Sequence, residues 1–331
     1  MSTSAIKTHS RKAYLESKQR AARRNMILYG VLIAFALVAP VIFYPVFLMK
    51  VLCFALFAIA FNLLLGYVGL LSFGHAAFLA TGGYTTGYLL TTYSGFSPEM
   101  AIIIATSAAT LLGFAFGVVA IRRQGIYFAM ITLALAQLVF FFYLQSPFTR
   151  GEDGMHGIPR GTLLGFIDLQ NNLAMYYFVL AVFIFGFALV QRIVHSPYGH
   201  VLKAIKENEP RAISLGYNVD RYKLVAFTIS AALAGLAGSV KTIVFQLASL
   251  TDAHWHMSGE VILMTLVGGV GTLLGPVIGA TFVISLEHQL AQSPVGDWVD
   301  VILGMIFILC VLMFRAGFVG EFQKFYKKNF K

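Results

Sequence analysis

The residues best placed to do chemistry lie between Asn62 and Tyr88, in NLLLGYVGLLSFGHAAFLATGGYTTGY. Gly66, Gly69, Gly74, Gly82, Gly83 and Gly87 alternate there with Asn62, Ser72, His75, Thr81, Tyr84, Thr85 and Thr86, all in otherwise apolar sequence. Two readings fit. Small residues let helix backbones approach closely in lipid, and hydroxyls bond from one helix to the next. The other reading is a locally unwound segment, whose freed backbone groups and helix N-terminus bind a polar or carboxylate-bearing solute. An ionisable residue at membrane depth is a candidate for function, which singles out His75; a neutral imidazole satisfied between helices is the plainer alternative. A second break, Gly271-Thr-Leu-Leu-Gly275-Pro276, has the form of Gly69-Leu-Leu-Ser-Phe-Gly74. Paired interruptions in two halves of a chain point to a transporter's central pathway. The candidate pathway residues are therefore Gly66, Gly69, Ser72, Gly74, His75, Gly269, Gly271 and Gly275.

Other chemistries find less support. Glu152, Asp153 and His156 could ligate a metal, but three polar residues in a Gly-rich turn are read as solvated, and no metal is assigned. No GxSxG, HExxH or paired intramembrane carboxylates suggest an enzyme, and no GxxxxGK[ST] loop suggests a nucleotide site. A proton relay through His75 and Glu99 or Glu260 would make the chain a proton-coupled secondary transporter, which stays open as a rival.

The elements that hold these residues follow from composition. Of 331 residues 58% are hydrophobic and 11% charged, against about 25% charged in soluble domains. Apolar segments fall near 26–48, 51–68, 71–93, 98–121, 125–145, 173–191, 224–248, 260–288 and 298–314. The predicted fold is an all-α polytopic membrane protein. Cys53 and Cys310 lie inside apolar runs and read as small core residues. The net charge of +10 could suggest nucleic acid, but its distribution argues against that partner. Twenty of the 24 Lys and Arg fall in 1–25, Arg122-Arg123, 192–223 and 315–331, which hold five of the 14 acidic residues. This is the positive-inside pattern, and it puts those four regions, both termini included, in the cytoplasm.

Counting crossings from the inside places Lys50 outside, where it can snorkel to the interface, and 146–172 outside as an irregular loop. Segment 260–288 must start and end on one side, so it is predicted as two short helices or a re-entrant hairpin broken at Gly268–Pro276. The total is about ten passes. In 224–248, Ala231/Gly235 and Ala234/Gly238 give small residues on two registers, a tight helix face for an internal or a subunit contact.

The longest polar interval, Val194–Val225, separates two apolar segments and holds, in it or at its edges, Arg192, Lys203, Lys206, Arg211, Arg221 and Lys223 against Glu207, Glu209 and Asp220. Ser196-Pro197 reads as a turn, and His200–Asn208 as a helix with Val201, Leu202 and Ile205 on one face and Lys203 and Lys206 on the other. Pro210 starts and Gly216 stops a second short helix. Capped helices with apolar residues (Ile205, Ala212, Ile213, Leu215) suit a docking surface better than a solvated linker.

Four stretches resemble the LivM-type permease subunits of branched-chain amino acid ABC transporters. They are Gly66-Tyr-Val-Gly69 through His75-Ala-Ala-Phe, Arg123 through Thr132-Leu-Ala, Gly151-Glu-Asp-Gly154-Met-His-Gly157-Ile-Pro159, and Ser196-Pro-Tyr-Gly199 through Gly216 with Ser258-Gly-Glu260 and Gly268–Pro276 after it. The resemblance implies that Glu207, Glu209, Arg211, Ala212 and Gly216 belong to an ATPase-coupling loop, 195–222. It implies a second unlike permease, two ATP-binding subunits that bind the ATP, a periplasmic or extracellular solute-binding protein, and residence in a bacterial inner membrane among lipid. It leaves open branched-chain amino acids, urea, short amides or another small carboxylate as the solute. The expected organisation is a basic tail (1–25), a permease domain (26–314) and a second basic tail (315–331).

Overall fold

The computed structural model describes residues 30–93, 95–163, 165–293, 298–313 and 317–321, so the 1–25 tail and most of 315–331 lie outside the described residues. Residues up to Leu48 form one compact unit and Met49 onward another. In the first, α1 covers Gly30–Ile42, and a bond from Phe43 N–H to the Ala39 carbonyl (2.9 Å) closes its last turn. The expected segment 26–48 is thus two pieces. Pro45 opens α2 and pushes Tyr44 out of helical geometry.

The remaining helices are α2 (Pro45–Tyr67), α3 (His75–Thr92), α4 (Pro98–Ala120), α5 (Ile126–Gln145), α6 (Asn172–Val194), α7 (Pro197–Glu207), α8 (Glu209–Ser214), α9 (Val219–Phe245), α10 (Trp255–Gly268), α11 (Gly275–Ala291) and α12 (Val299–Met313). Among the described residues α2, α4, α5, α6 and α9 have the length and apolar composition of membrane spans. The chain is a multi-pass helical membrane protein.

Every residue of α2 from Cys53 to Leu64 is buried, as expected of a helix apolar on all sides. Leu56 lies against Gly186 of α6, the Ala60 carbonyl accepts from Ser230 of α9 (2.5 Å), and Asn62 reaches the break between α10 and α11. The two small-residue registers of α9 face two different helices of the same chain. A methyl group added at Gly113 of α4 would meet Ala231 Cβ, and one at Gly235 would meet Ala109 of α4. On the other side a Cβ at Gly238 would run into the Leu79 carbonyl of α3, and one at Gly82 of α3 into the Gly235 carbonyl. So α9 is clamped between α3 and α4, an internal contact.

The expected break in 260–288 is present: α10 ends at Gly268 and α11 starts at Gly275, giving two helices of 14 and 17 residues. The intervening Gly269 (φ 121°) and Gly271 (φ 77°) adopt backbone angles that favour glycine. Loop 146–172 is mostly irregular, with short 3-10 turns at Pro147–Thr149 and Gly151–Asp153. It also holds β1 (Met155–His156), β2 (Thr162–Leu163) and β3 (Ile167–Asp168); β1 pairs antiparallel with β4 (Leu247–Ala248), and β2 with β3. His156 Nε2 lies 2.6 Å from the Asp153 carbonyl.

The polar contacts of the loops and helix ends form two groups. At one end Gln124 bonds Glu209 (2.9 Å), Lys206 bonds the Gly66 carbonyl (2.7 Å), and Gly66 lies against Gly271. At the other, Lys50 bonds Glu287 (3.1 Å) and Lys241 pairs with Asp252. Lys50 thus has an ion-pair partner in α11, where sequence alone suggested snorkelling.

Candidate functional site

The 195–222 loop folds as two capped helices. Ser196 accepts from Gly199 N–H (3.3 Å) at the start of α7, with Pro197 in its first turn. Asn208 ends α7, and its side chain accepts from Arg211 N–H (3.0 Å) to start α8. Tyr217 N–H bonds the Ala212 carbonyl (3.2 Å) and Gly216 N–H the Ile213 carbonyl (2.9 Å). That is a Schellman stop, with Gly216 at φ 86° supplying the left-handed residue. Asn218 then caps α9 through Arg221 N–H (3.2 Å).

The apolar residues divide into a base and a tip. Ile205, Ala212 and Val219 form a small buried core, covered by Val201 and Tyr222. Tyr198 stacks on Tyr222 (centroids 5.4 Å apart) and donates to the Tyr222 carbonyl (2.8 Å). Burial, and secondarily the neighbouring Tyr222, pushes its phenol well above the usual tyrosine range. Ile213 and Leu215, by contrast, are 57% and 68% exposed. Glu207, Arg211 and Gly216 are also exposed. Glu209 points back: it accepts from Lys223 Nζ of α9 (2.6 Å) and from Gln124 Nε2 of the α4–α5 turn (2.9 Å). Lys223 is buried, so this ion pair fixes α8 to the membrane helices. The result is a rigid base with an apolar tip in water.

The lysines of α7 lie on the face opposite Val201, Leu202 and Ile205, as the sequence suggested, and both also reach the end of α2. Lys203 Nζ lies 5.4 Å from the centre of the Tyr67 ring, and Lys206 Nζ donates to the Gly66 carbonyl (2.7 Å). An ammonium at a helix C-terminus satisfies a carbonyl with no intrahelical partner and meets the negative end of the dipole. Here it ties α7 to the end of α2, and Gly69 (φ 85°) packs against the same lysine stem.

The two glycine-bounded breaks meet beside this contact. Asn62 Nδ2 donates to the Thr272 carbonyl (2.8 Å), and its Oδ1 accepts from Gly271 N–H (2.9 Å). A Cβ at Gly66 would lie 2.7 Å from Gly271 N. So Gly66, Gly69, Gly269, Gly271 and Gly275 gather at the α7 end of the bundle. Ser72, Gly74 and His75 sit deeper. Phe73 N–H donates to Thr132 of α5 (3.1 Å), and Ser258 of α10 donates to the Phe73 carbonyl (2.8 Å). Ser72 Oγ accepts from Gly74 N–H (3.1 Å). An apolar cavity of about 460 Å³ lies between residues 69–73 and the start of α5 at Gly125–Leu133.

His75 is fully buried, with the Phe61, Phe78 and Phe227 rings edge-on at 5.0, 5.7 and 6.3 Å. Its Nε2 is 2.8 Å from Ser230 Oγ. Ser230 spends its one proton on the Ala60 carbonyl, so the imidazole is the donor and the proton sits on Nε2. Among the described residues Nδ1 has no partner, and neither Glu99 nor Glu260 bonds the ring. Sequence reasoning named Asn62 as polar yet missed its role, and it missed Lys206. A lone Asn buried in an apolar helix was the available signal for the first.

Comparison with known proteins places this arrangement. Residues 45–311 match the family model described as the branched-chain amino acid transport system / permease component. The high-affinity branched-chain amino acid transport system permease protein LivM of Escherichia coli K12 is 26% identical over 287 residues, covering 80% of this chain and 67% of the relative. The corresponding protein BraD of Pseudomonas aeruginosa is 22% identical over 287 residues, covering 81% and 92%. The ribose import permease RbsC of Bacillus subtilis is 24% identical over 266 residues, covering 75% and 81%. No solved structure matches the chain significantly. On a match over well more than half of its length, this chain belongs to the permease-component family of the branched-chain amino acid transport systems.

Proposed function

We propose that the chain is one of two unlike permeases of an ATP-driven importer for branched-chain amino acids in a bacterial inner membrane. On this reading α7 and α8 lie in the cytoplasm with both basic tails, about ten passes cross the bilayer, and the 146–172 loop faces a solute-binding protein outside. The observation that carries it is the tip of α8. Ile213 and Leu215 stand exposed on a base fixed to α9 by Lys223–Glu209 and to α2 by Lys206–Gly66, which suits a surface that receives force from an ATPase. ATP-driven closure would press on that tip and move the ends of α2, α10 and α11 joined at Asn62. The ribose permease among the relatives shares the scaffold, so the solute must be chosen by side chains along the path and by the binding protein.

The test is uptake by the complete transporter in proteoliposomes, with ATP inside and labelled leucine, urea or ribose outside. Leucine uptake that needs ATP and survives collapse of the proton gradient is the expected outcome. Uptake that persists without ATP and stops with the gradient would favour a proton-coupled carrier instead.

A further inference from the structure

Sixteen positions along α2 from Gly66, at the other end of the bundle, a cavity of about 350 Å³ collects charged side chains from α2, α9, α10 and α11. Lys50 bonds Glu287 at 3.1 Å, and Lys241 pairs with Asp252. Both ammonium groups lie over the Phe54 ring, at 6.0 and 5.3 Å from its centre. Glu260 lines the same cavity and, among the described residues, has no hydrogen-bond or ion-pair partner.

Two lysines face three carboxylates, and among the described residues Glu260 is the carboxylate without an ion pair. A network serving stability alone gains little from a third, half-buried carboxylate, because partly desolvating an unpaired charge is costly. Each lysine has three N–H donors and gives one to its partner, so donors remain for a further carboxylate. Phe54 and Met257 supply apolar wall between the charges. Among the described residues no group of three His, Cys, Asp or Glu is placed to hold a metal ion, which turns the choice towards an organic ligand.

We infer that this cavity is a binding station for a zwitterionic α-amino acid with an apolar side chain, Glu260 taking the α-ammonium and Lys50 and Lys241 the α-carboxylate. This rests on the import reading above and adds a place on the route. It also gives the chain its own means of discrimination: a pentose offers no ammonium to Glu260.

The test needs no transport. In the assembled transporter, with Cys53→Ala and Cys310→Ala in this chain, Thr251→Cys puts a thiol at the cavity. A cationic, membrane-impermeant thiol reagent then reports access to position 251. Leucine is expected to slow labelling at least threefold, while the keto acid of leucine, which lacks the ammonium, leaves the rate unchanged. Glu260→Gln, which keeps both ion pairs, should abolish the protection. Equal rates with and without leucine, or protection by the keto acid as good as by leucine, would overturn the assignment. So would protection by sodium or ammonium ion alone, which would make this a monovalent-cation site. Leucine uptake by the unaltered transporter tests the import reading separately, so the two can fail independently.

Discussion

Asn62→Leu should weaken the protein by an amount that the two bonds of its side chain set. Asn62 is 1% exposed and holds both a donor and an acceptor of the 271–272 break, at 2.9 and 2.8 Å. Leucine has similar volume and no polar atom, so cavity formation contributes little. What remains is the loss of two hydrogen bonds and two backbone groups left unmatched. In soluble proteins each orphaned buried group costs about 1–3 kcal/mol. Inside membranes interhelical bonds average about 0.6 kcal/mol and reach about 1.7, because the unfolded chain finds other partners. Two such bonds place the expected loss at about 1–3 kcal/mol. Asn62→Asp should lose at least as much: it keeps an acceptor for Gly271 N–H but turns an oxygen towards the Thr272 carbonyl and brings a charge into an apolar helix. Reversible unfolding in mixed micelles, followed by tryptophan fluorescence, measures both. A change under about 0.5 kcal/mol for Asn62→Leu, set against that range, would refute the claim that Asn62 pins the two breaks together.

Three further outcomes follow from the same geometry. Gly238→Ala puts a methyl group into the Leu79 carbonyl and should force α3 and α9 apart, at a cost of about 1–3 kcal/mol in the same unfolding assay. Gly216 has open space around it, so Gly216→Ala should cost only the left-handed backbone penalty of about 1–2 kcal/mol, and Gly216→Asn less; equal costs would argue against the Schellman stop. Glu209→Gln leaves the buried Lys223 ammonium without its carboxylate, whereas Lys223→Met removes the ammonium and leaves Glu209 partly solvated and bonded to Gln124, so thermal unfolding should show Glu209→Gln the worse of the two.

What was legible in the sequence was local. Pro210 and Gly216 act within a few residues of themselves, so the second short helix of the 195–222 loop and its stop could be read directly; the first was expected from His200 and in fact begins at Pro197, where Ser196-Pro197 had read as a turn. The glycines at 268–275 likewise announced the break between α10 and α11. The small-residue registers of α9 announced close packing, though not that each register faces a different helix. What could not be read was pairing at long range. Asn62 meets residues 209 and 210 positions away, and Lys50 meets Glu287, 237 positions away. No periodicity within a segment carries that information. The contacts of the α7 lysines were hidden for the same reason: a helical wheel shows which side is polar, but not that the end of α2 lies against it. His75 shows the opposite limit, since its residue type drew attention while its surroundings prove to be three phenylalanine rings and one serine.

The most direct measurement of the central claim is the number of leucine molecules imported per ATP hydrolysed by the reconstituted transporter when Ile213 and Leu215 are replaced by aspartate. Both side chains are solvent-exposed in the isolated chain, so the double variant should insert and unfold as the parent does. The account predicts that uptake falls at least tenfold, with the ATPase subunits binding this chain weakly or turning over without transport. Leucine uptake at the parent's rate, with leucine per ATP unchanged, would contradict it, and would place the energy input elsewhere in the molecule.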